Sequence, residues 1–152
     1  MPIRHMVVAG TLLLLAAVPG AQAATFTVTK TADTRDGSCN ADCSLREAID
    51  AANAAPDADE IVLPGGSYQL TISGTNEDLN ANGDLDILGD VALRGAGAAT
   101  TQIRQWGEER VLDVHGSATD LAITGLTVTG RAVNVETLLA SRHKFRGDRI
   151  GA

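Results

Sequence analysis

Oxygen-bearing side chains alternate along Asn76–Asp86 (NEDLNANGDLD), with Asp78, Asn80 and Asn82 followed by Gly83, Asp84 and Asp86. Alternating oxygens wrap a hard cation and a glycine permits the sharp turn, so this run matches the opening half of an EF-hand calcium loop. Gly89 stands where the closing bidentate Glu belongs. The set Asp78, Asn80, Asn82, Asp84 and Asp86 is therefore read as a structural calcium site. The alternative is a solvated loop in which Asn and Asp stabilise turns. A second group is Asp113 and His115, which flank Val114 and so share one face of a strand. With Arg104 or Arg110 from a neighbouring segment they would make a small acid–base site, or they simply coat the solvent face. Trp106 beside Gly107 reads either as a sugar-stacking platform or as a cover for the end of a stack of strands. No serine-nucleophile motif, phosphate loop or paired-histidine metal motif occurs. Zinc lacks soft ligands, since His115 is the only histidine between residues 24 and 130. No cofactor is expected beyond the structural calcium, and no catalytic residue is assigned.

The elements that must hold these residues are short. TFTVTKT (Thr25–Thr31) alternates as a strand does. Ser44 begins a helix in which Glu47, three residues on, completes a capping box. Leu45, Ala48, Ile49 and Ala52 fall on one face, Arg46 and Asp50 stand a turn apart on the other, and Pro56 ends the helix near Ala55. Beyond it the period becomes two. Glu60–Leu63, then Tyr68, Leu70 and Ile72, then LDIL, VALRG, TQIRQ, RVLDV, DLAITG and LTVTG are strand-length pieces separated by Gly, Asp and Ser. Related pieces recur at spacings inside the ~20–50-residue window of solenoid arrays. The reading is all-β with one helix, of solenoid type.

At 152 residues with 44% hydrophobic content, the chain fits one small domain. Only four side chains are aromatic, so aliphatic residues must fill the core, and 16 glycines argue against a helical bundle. A net charge of -7 repels phosphate backbones and argues against nucleic-acid binding. Residues 1–23 read as a secretory signal peptide: Arg4, then the apolar run Met6–Val18, then Pro19-Gly20 and the small-x-small pattern Ala21-Gln22-Ala23. The run is shorter than the roughly 20 residues of a spanning helix. Export implies an extracytoplasmic chain, secreted or at the cell surface. There the close pair Cys39 and Cys43 is expected to form a disulfide, with free thiols or half a metal site as alternatives. Residues 131–152 carry a net charge of +3 against -11 for residues 24–130. That shift marks an atypical basic tail, truncated or frameshifted, or a basic terminal segment. Val135–His143 within it could form a short helix.

The stretch GSCNADCSLREAIDAANAA (Gly37–Ala55) resembles the CSLREA domain, and the resemblance extends through EIVLPGGSYQLTI and GDLDILGDVALRGAG to LTVTG, covering roughly residues 25–130. Members are exported, mostly bacterial proteins in which the motif precedes a right-handed parallel β-helix, the pectin-lyase-like fold. The resemblance implies that residues 24–130 are the N-terminal coils of such a β-helix. Ser44–Ala55 would then be a helix capping the open first coil, as terminal solenoid repeats need. The implied function is a non-catalytic module for adhesion or display, meeting cell-surface glycans or proteins and self-associating through an open C-terminal end. The alternatives are a fragment of a carbohydrate-active lyase or hydrolase of the same fold, or a non-functional remnant.

Overall fold

A computed structural model describes residues 22–107, 110–115 and 120–130, and the backbone of 144–146 and 149–151. Residues 1–21 of the expected leader (residues 1–23) and the helix expected over Val135–His143 lie outside the described residues. In chain order the elements are β1 (Thr25–Thr27), α1 (Leu45–Ala54), β2 (Asp59–Leu63), β3 (Gly66–Gln69), β4 (Leu85–Ile87), β5 (Val91–Gly95), β6 (Thr101–Arg104), β7 (Leu112–Val114), β8 (Leu121–Thr124), β9 (Thr127–Thr129), β10 (Lys144–Arg146) and β11 (Arg149–Gly151). They form mostly parallel sheets with a single helix among the described residues. None of these residues belongs to a helix long and apolar enough to cross a membrane.

The strands fall into three sheets, ordered β1-β2-β5-β8-β10, β3-β6-β9-β11 and β4-β7, and every pairing is parallel. The chain visits the sheets in rotation. β2, β3 and β4 are followed in the same order by β5, β6 and β7, each lying beside its predecessor. Register stacks like on like: Ile61 on Leu93 on Ile123, Tyr68 on Ile103 on Val128, and Leu85 on Leu112. All of these are buried. Aliphatic columns of this kind fill a narrow interior, which accounts for the scarcity of aromatics. The turns between sheets stack as closely as the strands. Gly125, at φ 64°, offers its carbonyl to the amide of Gly97 at 2.8 Å, and a Cβ on Gly95 would lie 2.2 Å from that oxygen. Only glycine fits at 95.

The first strand is shorter than its alternation predicts. It stops at Thr27 because the amides of Thr29 and Lys30 turn to the carbonyl of Cys43, at 2.8 and 3.3 Å. α1 begins as expected: Ser44 Oγ accepts from the Glu47 amide, and Glu47 accepts from the Ser44 amide. It ends at Ala54, ahead of Pro56. Its buried face, Leu45, Ala48, Ile49 and Ala52, packs on β1, β2 and β4. Although the glycine rhythm of the sequence stops at Gly130, β10 and β11 extend two of the sheets by one strand each.

Candidate functional site

The chemistry gathers on the two-stranded sheet. In β4 and β7 the aliphatic neighbours turn into the core, which puts Asp86 and Asp113, directly opposite each other, on the other face. Yet both carboxylates are buried, because the segment between β3 and β4 folds over them. The Asn80 amide donates to Asp86 Oδ2 at 2.7 Å. Two like charges side by side repel, and polar side chains close around them. His115 Nε2 sits 3.0 Å from Asp86 Oδ1 and 3.6 Å from Asp113 Oδ2. Arg110 bridges Asp113 at 2.6 Å and Asp84 at 3.0 Å. Burial pushes the Asp86 carboxyl above its usual value, and the nearby Asp84 and Glu77 charges add to this. Hydrogen bonds from His115 and the Asn80 amide oppose it without cancelling it. With exposed Asp78, one ligand atom each from Asp78, Asp86, Asp113 and His115 lies within 4.8 Å of the others. Three carboxylates and an imidazole so disposed could share one divalent cation.

Nothing matches the chain among protein-family models, curated proteins or solved structures. Its site is read from its own chemistry.

The five residues expected to hold calcium do not converge. Asp78 and Asp86 come together, joined by Asp113 and His115 from the other candidate group. Asn80 instead turns to α1, its Nδ2 donating to the Arg46 carbonyl and to Asp50 Oδ1, both at 2.9 Å. Asp84 serves Arg110. Asn82 donates its amide to Glu77 Oε1 at 2.8 Å, while its own Oδ1 is buried without a partner among the described residues. Arg110, not Arg104, reaches Asp113; Arg104 donates to Gln102 in the second sheet. Trp106 is 67% exposed and lines a groove of about 570 Å³ with Leu70, Ile72 and Gln105. The cysteines Cys39 and Cys43 are bonded.

Arg46 departs most from its expected place. Their placement a turn apart would let Arg46 pair with Asp50, but the Arg46 side chain is wholly buried, and Asp50 pairs with Arg35. Its Nε donates to Asp33 Oδ1 at 2.8 Å, Nη1 to the Asp84 carbonyl at 2.8 Å, and Nη2 to the Gly83 carbonyl at 3.0 Å. Asp33 Oδ2 in turn accepts from the amides of Thr71 and Ile72, at 2.7 and 2.9 Å. One guanidinium thus fixes the helix to the segment that covers Asp86 and carries Asp78. Periodicity gives no sign of this, because a long side chain reaches past the edge of the apolar stripe.

Glu47 holds the other end. Burial raises its carboxyl, but hydrogen bonds from the amides of Ser44 and Asp36 and from the Thr34 hydroxyl outweigh that and bring it to about 2. A lowered carboxylate stabilises the fold above its unfolded value and loses that contribution as pH falls through the folded one. Between pH 4.5 and about 2 the protein is therefore expected to lose stability, by an amount that the shift puts at roughly 3 kcal/mol. Urea melts across that range check this; Glu47→Gln should start less stable at neutral pH and lose less on acidification.

Proposed function

We propose that this chain forms the N-terminal coils of an exported right-handed parallel β-helix, closed over its first coil by α1, and serves as a non-catalytic module for adhesion or display outside the cytoplasm. The observation that carries the reading is the rotation of the chain through three parallel sheets, each new strand lying beside its counterpart one round earlier. The position of α1 against β1, β2 and β4 agrees with a cap. The leader-like start and the Cys39–Cys43 bond agree with export. A catalytic reading finds less support. Arg46 and Glu47 are buried and fully engaged, and Asp86 and Asp113 are buried and answered by His115 and Arg110, whereas a general acid or base must reach its substrate.

The acidic group is proposed as a structural calcium site whose ligands are the carboxylates of Asp78, Asp86 and Asp113, with His115 beside them. A divalent ion there would offset the repulsion between the opposed carboxylates. Millimolar Ca²⁺ should raise the melting temperature by several degrees in wild type and not in Asp78→Ala; an unchanged melt removes the proposal.

The functional test is to present the purified chain to cells and to panels of glycans that include pectin and alginate, with product analysis on the same samples. Binding without turnover is the expected result. Turnover that disappears in Asp113→Ala would replace this reading with that of a polysaccharide-degrading enzyme.

A further inference from the structure

Ala24 follows the small-x-small pattern Ala21-Gln22-Ala23 directly, and its backbone nitrogen is held in a fixed place. Thr25 pairs with Glu60, and the Glu60 amide donates to the Ala24 carbonyl at 2.9 Å. The Ala24 nitrogen then donates to Asp59 Oδ1 at 2.7 Å. Asp59 is only 2% exposed, and its second oxygen, Oδ2, is buried with no partner among the described residues. Beside it lies a cavity of about 440 Å³ lined by Ala23, Asp59, Glu60, Asp90 and Asp120, with no basic residue among the described residues of its lining. Glu60 is already paired with Arg94, and Asp90 Oδ1 accepts from the Asp120 amide. Asp59, like its neighbour Asp57, is left with one carboxylate oxygen buried and without a hydrogen-bond partner among the described residues, which costs stability.

While the 23–24 peptide bond is intact, the Ala24 nitrogen has one proton and no charge. Hydrolysis of that bond adds water across it: Ala23 leaves with the new carboxylate, and the Ala24 nitrogen becomes an ammonium with three protons and a positive charge. We propose that a leader peptidase cuts between Ala23 and Ala24 and that the ammonium so created pairs with both oxygens of Asp59, so that removal of the leader itself fastens the first strand. This rests on the export reading above. The tether of Ala24 through Glu60 keeps the new terminus where the amide stood, and the acidic lining of the cavity favours the added charge.

The full-length chain, wild type and Asp59→Asn, tests this in two forms. One is exported from bacteria with its own leader; the other is synthesised cell-free without a peptidase. Sequencing of the exported form should begin at Ala24. Pulse proteolysis should find that Asp59→Asn lowers the folding equilibrium constant of the processed chain about tenfold more than that of the uncut chain. Selective acetylation of the Ala24 amine in processed wild type, which leaves Asp59 in place, should produce a similar loss even if the Asn variant folds poorly. A terminus at Ala24 with equal losses in both forms, or with no effect of acetylation, overturns the pairing and leaves export standing. A chain that is not exported, or is cut elsewhere, overturns the cleavage step and the export reading together.

Discussion

Replacing Arg46 with Met is expected to cost about 3–5 kcal/mol of folding free energy, the range for removing one partner of a buried ion pair. The apolar replacement has similar length, so the loss is one of charge and hydrogen bonds rather than volume. Asp33, 2% exposed at its side chain, would be left with two backbone amides as its donors among the described residues. The Asp84 carbonyl would lose its Arg46 donor, and the Gly83 carbonyl would keep only the longer bond from Gln105 among those seen in the described residues. Arg46→Lys should recover little, because a compact ammonium cannot span Asp33, Gly83 and Asp84 as the planar fork does. Urea unfolding followed by circular dichroism reads both variants. If Arg46→Met came within about 1 kcal/mol of wild type, the guanidinium would not be the tie between helix and covering segment that its geometry describes.

Placing Asp at position 49 should be as damaging. Ile49 is fully buried at the centre of the helix face that meets β1, β2 and β4. A carboxyl there must either take up a proton or drag water into an apolar contact, a mechanism at the far end of the mutational range, above about 4 kcal/mol. Ile49→Val, which removes one methylene and leaves the contact apolar, should cost only about 1 kcal/mol. Limited proteolysis separates the two outcomes, with rapid cleavage near β1 and β2 expected for the Asp variant alone. Equal resistance in both variants would mean that the helix is not seated on the sheets.

The alternation of apolar and polar residues, the capping box and the close cysteine pair are local signals, and the elements they mark are present in the fold. Partners are harder to read, because parallel pairing joins residues far apart in sequence. Asp86 and His115 meet from 29 positions away, and only the stacking of β4 and β7 brings them together. The same limit explains why the five expected ligands do not gather at one point. Alternate oxygens converge on a cation only if the backbone winds around it. Here Asn76 and Asn80 each take φ of 58°, and the chain between them sends the Asn80 side chain towards α1 while Asp78 remains near Asp86. Arg46 escaped for a different reason: helical spacing predicts which face a Cβ occupies, and six further heavy atoms carry its charge elsewhere.

Methyl-resolved nuclear Overhauser spectroscopy on the isotopically labelled protein tests the stacked parallel arrangement most directly. Cross-peaks linking Ile61 to Leu93 and Leu93 to Ile123, with a second column from Ile103 to Val128, are the predicted result. Contacts that instead run in opposite directions along neighbouring strands, as in hairpins, would contradict it.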